Sequence, residues 1–250
     1  MYNSCWICGE QANSSEHKIK RSDIIQSYGK RNYQNILEHP VHYADGSLNK
    51  VQGSNSKYIK YNSDLCSKCN NEMTQPFDKA YSIFSNYIYN NKELIWKKRM
   101  INFHHIYGDE FELQQRNLFK YFVKSFCCRL NDAGLSIPND LKELLPLDYF
   151  VTGLKVSFSI LEVMNKFPND FRNGFFHLGN LYTTTSNGYL WKQVVNYLVI
   201  NFFYLENPEG EKGYPWIADN QFLYLGSIET FTQEEWDDII SVAKKLEENG

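Results

Sequence analysis

At 250 residues, 42% of them hydrophobic and 22% charged, the chain is long enough for one large domain or two small ones and has the composition of an ordinary folded protein. No apolar run approaches membrane-spanning length, and Met1-Tyr2-Asn3-Ser4-Cys5 lacks the basic-then-apolar order of a secretion signal, so a soluble, cytoplasmic protein is expected. The net charge of −3 hides an asymmetry: residues 1–130 carry 18 Lys and Arg against 12 Asp and Glu, whereas residues 131–250 carry 8 against 17, so a polyanion should approach the first half.

In chain order, Cys5-Trp6-Ile7-Cys8 predicts a tight turn presenting two thiolates, with Gly9 leaving it at positive φ. Ser14 to Lys20 reads as a short strand carrying Glu16 and His17, whose side chains should point to opposite faces. Ser22 is a candidate N-cap for a helix over Asp23 to Tyr28 ended by Gly29, in a locally basic stretch with Lys18, Lys20, Arg21, Lys30 and Arg31. His39 to Tyr43 and Val51 to Tyr61 are expected strands around the turn Ala44-Asp45-Gly46-Ser47, with a further loop at Gly53-Ser54-Asn55-Ser56. A helix should open at Lys68, kink or restart near Phe77 because of Pro76, and bury Phe77, Tyr81, Phe84 and Ile88. Lys97, Lys98 and Arg99 could follow a phosphate backbone or form a solvated face. An amphipathic helix is expected over Glu112 to Leu130 and a short one over Asn139 to Leu145.

The pattern then changes to strands: Leu154 to Leu161, Gly174 to Tyr182, Val194 to Leu205 and Gln221 to Ile228. Thr232 and Glu235 have capping-box spacing for a last helix, Thr232 to Glu248. The 18 Tyr and 17 Phe sit mostly at strand or helix periodicity, which points to core packing rather than base stacking, and the acidic balance of the second half agrees.

The six cysteines divide into two C-x-x-C pairs, Cys5/Cys8 and Cys66/Cys69, and an adjacent Cys127-Cys128 expected to pack in a helix. Two such pairs in a reducing compartment make a four-thiolate zinc site, a structural clasp with no ligand position left open for chemistry. Glu16 and Asn70 beside it offer oxygen ligands for a hard divalent cation, and His17 can take a proton from water near neutral pH. Asn70 could instead cap the helix or hold the loop, the less favoured reading; Asn71 and Asp78 are weaker candidates, and His104 and His105 read as a solvated turn.

The order C-x-x-C, Glu-His, then C-x-x-C-Asn-Asn opening a helix resembles the four-cysteine branch of the HNH, or ββα-metal, endonucleases. The resemblance covers about the first third of the chain. It implies His17 as general base, with Glu16 and Asn70 as catalytic residues binding a divalent ion, Mg²⁺ or Mn²⁺. Cys5, Cys8, Cys66 and Cys69 would hold structural zinc. Between His17 and Cys66 lie 48 residues, longer than the compact motif needs, so an insertion over about 22–60 is expected, and Glu16 stands where aspartate is common.

The expected fold class is therefore α+β: a zinc-stabilised, HNH-like ββα-metal unit over 1–90, then 91–250 as a helical segment and a C-terminal antiparallel sheet with a closing helix. The expected function is metal-dependent endonuclease with DNA as substrate. Stand-alone HNH proteins of this size often serve bacterial anti-phage defence, which the resemblance extends to this chain. For the second half three roles stay open: docking a regulatory protein or companion subunit, mediating oligomerisation, or sensing a signal. Two competing readings remain open: a non-catalytic zinc module binding DNA or a protein, and an adaptor built around the C-terminal sheet.

Overall fold

In this computed structural model the described residues are 4–30, 41–44, 47–62, 64–167, 173–184, 188–205, 216, 218–237 and 241. The chain opens on a tight turn in which the Cys5 N–H donates to Glu10 O (2.6 Å) and the Gly9 N–H to Cys5 O (2.8 Å). Gly9 leaves it at φ +80°, a conformation that a side chain would strain. Residues 14–18 then run antiparallel to 59–65, with bridges at Ser14↔Leu65 and His17↔Lys60. The Tyr61 N–H donates to Glu16 O (2.9 Å) and the Lys18 N–H to Ile59 O (2.7 Å). The expected first strand is thus a short, interrupted pairing whose partner lies more than 40 residues away.

Helix α1 (Arg21–Tyr28) ends at Gly29 as expected, but its N-cap is Lys20, with no side-chain cap. Strands β1 (Val41–Ala44) and β2 (Ser47–Lys50) pair as a hairpin; Asp45 and Gly46 of its expected turn, and the expected strand start at His39, lie outside the described residues. The expected strand over Val51 to Tyr61 does not form as one piece. Its Gly53-to-Ser56 segment turns, with the Ser56 N–H bonded to Gly53 O (2.9 Å), and a 3₁₀ turn follows at Lys57–Ile59. Only the last residues of that stretch pair with 14–18.

After the second cysteine pair, a π-helical turn (Lys68–Met73) gives way to α2 (Gln75–Asn90). Pro76 sits in its first turn, where a missing N–H costs nothing, so the helix restarts there. Next come α3 (Lys92–Lys98), β3 (Met100–Asn102), α4 (Phe103–Tyr107), the long α5 (Phe111–Asp132) and α6 (Asn139–Glu143).

The remaining strands are β4 (Leu154–Leu161), β5 (Phe176–Leu178), β6 (Tyr182–Thr183), β7 (Tyr189–Val195), β8 (Leu198–Tyr204), β9 (Phe222–Tyr224) and β10 (Gly226–Ile228). The main sheet has the order β10-β4-β8-β7-β5, with β6 also on β7, while β9 pairs with β3.

Several expectations for the second half are corrected. Gly174 to Tyr182 is not one strand but holds β5 and the first residue of β6, and Gln221 to Ile228 divides into β9 and β10, which pair with different strands. The sheet is mixed, not antiparallel: β10 runs parallel to β4, because the chain does not turn tightly from β8 but returns through β9. Val194 to Leu205 is the end of β7 and the whole of β8, joined at Asn196-Tyr197, where Asn196 takes φ +59°. Apolar residues on both sides of that turn hide it from a pattern reading. The last helix is seen over residues 233–237, and the capping box forms, Thr232 N–H to Glu235 Oε2 (2.8 Å) and Glu235 N–H to Thr232 Oγ1 (3.3 Å); apart from residue 241, the rest of Thr232 to Glu248 lies outside the described residues.

Helix α5 is the centre of the molecule. Every residue from Leu118 to Cys128 is buried. One side meets α2, where Tyr81 and Tyr121 stack at 3.9 Å; the other meets the sheet, where Phe126 stacks on Phe202 at 5.6 Å and Phe122 meets Phe158 at 5.5 Å. Cys127 and Cys128 are buried thiols in this helix. One hydrophobic cluster runs from Cys5 through α2, α5 and the sheet to Phe231.

Candidate functional site beside a four-cysteine centre

The two turns bring Cys5, Cys8, Cys66 and Cys69 together, with all four sulfurs within 4.8 Å of one another and Cys8 Sγ 3.6 Å from Cys66 Sγ. A tetrahedral zinc with sulfur at about 2.3 Å separates its sulfurs by roughly 3.8 Å, so the cluster fits such an ion. The second turn is held from the first segment: Asn13 Oδ1 accepts from the Ser67 N–H (2.8 Å) and Oγ (3.0 Å). The Cys69 N–H points at Cys66 Sγ (3.4 Å) and is the first cause lowering that thiol to about 7, whereas burial raises the Cys69 thiol beside it. Three of the four cysteines are buried and Cys8 is exposed.

Beside this centre the paired segments place Glu16 inward. Its carboxylate is 3% exposed and receives two ammonium groups, Lys124 Nζ at Oε2 (2.6 Å) and Lys20 Nζ at Oε1 (3.4 Å). Lys124, fully buried on α5, also reaches Asp78 Oδ1 (3.0 Å) and Oδ2 (3.2 Å) and Thr74 Oγ1 (3.3 Å). Lys20 closes the ring on Asp78 Oδ1 (2.5 Å). Burial pushes the Glu16 carboxyl up, but Lys124 and then Lys20 outweigh it and hold it at about 2. Burial likewise opposes the charge on Lys124, and Glu16 and Asp78 raise it above its ordinary value. Both partners are therefore ionised at neutral pH.

His17, the next residue, is half-buried, and its Nε2 is buried with no hydrogen-bond partner among the described residues. Burial lowers it to about 4; Glu16 opposes that shift, while Lys60, Lys20 and Arg21 reinforce it. The imidazole is uncharged at pH 7 and stands among three cations. Asn70 is buried in the π-helical turn, and its Nδ2 donates to Ser14 Oγ (2.9 Å). Its backbone carbonyl accepts from Thr74 Oγ1 (2.9 Å), the hydroxyl that Lys124 also reaches. Glu16, Asn70 and the second cysteine turn are thus linked through Lys124 and Thr74.

The other candidates fall elsewhere. His104 and His105 are exposed on α4, with His104 Nε2 3.2 Å from Asp109. Arg99 pairs with Glu162 and lies over the Trp96 ring, whereas Lys97 and Lys98 are exposed. Asn71 is exposed next to Asn70. Asp78, a weak candidate in the sequence, is in the cluster, and Lys124 was not a candidate at all. The one available signal was a lysine within an apolar stretch of the long helix, flanked in sequence by Tyr121, Phe122, Val123 and Phe126.

The donor sets differ in what they fit. Four thiols suit zinc. The divalent ion implied at Glu16 and Asn70 does not fit this arrangement, because the ammonium groups of Lys124 and Lys20 already hold both oxygens of the Glu16 carboxylate. Among the described residues no helix is long and apolar enough to cross a membrane. In comparisons with known proteins, no family model, no curated protein and no solved structure matches the chain, so what stands is a mixed α+β protein with a four-cysteine centre able to hold a metal ion such as zinc.

Proposed function

We propose that the chain is an HNH-type endonuclease that hydrolyses phosphodiester bonds in DNA, with zinc as a structural clasp in the four-cysteine centre. The observation that carries this reading is His17: an uncharged imidazole whose buried Nε2 has no hydrogen-bond partner among the described residues, next to Glu16 and near Lys60, Lys20 and Arg21. A phosphodiester brings its negative charge to Lys60 and Arg21, the cations near His17 that Glu16 and Asp78 do not hold, and a neutral imidazole beside it can take the proton of an attacking water. The surplus of basic residues in 1–130 favours approach of a polyanion from this side. The Mg²⁺ or Mn²⁺ of the family resemblance has no place in this derivation while Glu16 is held by Lys124. Bacterial anti-phage defence and a regulatory partner for the second half belong to the same reading.

The test is cleavage of supercoiled plasmid by the zinc-loaded protein and by His17→Ala, with zinc content measured on both. The expected result is nicking by the wild type and a loss of roughly 10²–10⁴-fold in the variant at equal zinc content. Equal rates in the two proteins would remove His17 from the chemistry. A second reading, a non-catalytic zinc module that binds DNA or a protein, is favoured by one observation, the neutralisation of Glu16 by two lysines. It predicts DNA retention without cleavage, unaffected by His17→Ala.

A further inference from the structure

We infer that the ammonium of Lys124 is the resident cation of the Glu16–Asp78 pocket, and that a divalent metal ion does not enter it. The inference rests on the nuclease reading only in locating the pocket at the site of chemistry. Lys124 Nζ is fully buried and faces four oxygens of three residues: Glu16 Oε2 at 2.6 Å, Asp78 Oδ1 and Oδ2 at 3.0 and 3.2 Å, and Thr74 Oγ1 at 3.3 Å. An ammonium has three protons to donate, and these acceptors engage all of them. Lys20 bridges the same two carboxylates from the outer side, where its side chain is 14% exposed.

Charge decides the matter. Two carboxylates and two ammonium groups are balanced before any metal arrives. A divalent ion added to them would bring an uncompensated double charge into a pocket where the Glu16 and Lys124 side chains are 4% and 0% exposed, and an unpaired buried charge is strongly disfavoured. Nor can Lys124 step aside alone. Its helix is wedged between α2 and the sheet, with Tyr121 stacked on Tyr81 of α2 and Phe122 against Phe158 of the sheet, and its ammonium lies 5.9 Å from the Tyr121 ring centre. Withdrawing the side chain would leave both Glu16 and Asp78 short of their partner inside the protein. The positive charge at this site is therefore built into the polypeptide, and it is supplied by a residue 108 positions from Glu16.

The full-length, zinc-loaded protein can be titrated with Mn²⁺ and the free ion followed by electron paramagnetic resonance, in wild type, Glu16→Gln and Lys124→Met. The expected result is no wild-type Mn²⁺ site through the millimolar range that Glu16→Gln removes, and a new Glu16-dependent site in Lys124→Met. Because loss of Lys124 threatens folding, a second measurement uses the wild type alone. The Lys124 ammonium, observed by ¹⁵N NMR and assigned through its own side chain, should exchange slowly and keep its shift when Mg²⁺ is added. A wild-type Mn²⁺ site abolished by Glu16→Gln, or an ammonium signal displaced by Mg²⁺, overturns the inference. Neither measurement involves DNA. A protein that cuts no plasmid and binds no Mn²⁺ at Glu16 loses the nuclease reading and keeps this one; one that cuts and binds Mn²⁺ there does the reverse.

Discussion

His17 is the residue whose chemistry depends most on its surroundings. In the unfolded chain its imidazole titrates near 6.5, and burial with the neighbouring Lys60, Lys20 and Arg21 brings it to about 4 in the fold. A depressed folded pKa means that the unfolded state binds the proton first, so the stability this entails is complete above 6.5 and is lost as pH falls toward 4. Between pH 6.5 and 5 the loss is about 2 kcal/mol. Asp64 works the other way in an overlapping window: burial raises it from 3.8 to about 6, so its contribution is present at low pH and disappears as pH rises through 6. The wild-type profile is therefore muted, and the difference between wild type and His17→Gln isolates the histidine. Thermal unfolding of the two zinc-loaded proteins from pH 7 to 5 should show the variant losing less stability; parallel curves would mean that His17 does not titrate as its environment dictates. If His17 is the base, the acid limb of cleavage belongs below pH 5, not near 6.5.

At the scale of elements, what could be read from the sequence depended on whether a segment had one wet face. Strand β4 could be read because Leu154, Val156, Phe158 and Ile160 are buried while Lys155, Ser157 and Ser159 alternate with them. The β7–β8 hairpin could not, because Val194, Val195, Tyr197, Leu198, Val199 and Ile200 are all buried and the turn falls among them. Its signal was the single Asn196, held at φ +59° with its N–H bonded to Phe175 O (2.7 Å). A β-branched residue there must adopt the left-handed region at a cost of roughly 1–2 kcal/mol, whereas glycine adopts it freely. Asn196→Val should lower the urea midpoint accordingly and Asn196→Gly should leave it nearly unchanged; similar losses in both would place the role of Asn196 in its side chain instead. Helix α5 was located by its apolar spacing to within two residues at each end, yet the same spacing could not show that it is buried all round, and that is why Lys124 went unnoticed.

For the whole molecule, Lys124 joins the cysteine-bearing segments to the helix on which the sheet is built. The sequence identified the local part of the candidate site, Cys5, Cys8, Glu16, His17, Cys66 and Cys69, because each carries its chemistry in a short motif. It did not identify what only tertiary packing brings to Glu16, Lys124 with Thr74, and it offered Asp78 only as a weak candidate. This junction has an energetic consequence. Removing one member of a buried ion pair leaves a charge without its partner and costs about 3–5 kcal/mol, a large share of the about 5–15 kcal/mol that holds a typical domain folded. Since Lys124 meets the first segment and its neighbours Phe122 and Phe126 meet the sheet, the loss should be felt on both sides. Heating the full chain while following zinc release with a chromogenic chelator and tertiary structure by near-ultraviolet circular dichroism should give one shared midpoint. In Lys124→Ala both midpoints should fall together. If the variant released zinc at a lower temperature while the sheet signal kept its wild-type midpoint, the cysteine-bearing segments would melt independently, and Lys124 would be a local contact of that unit instead of the tie between the halves.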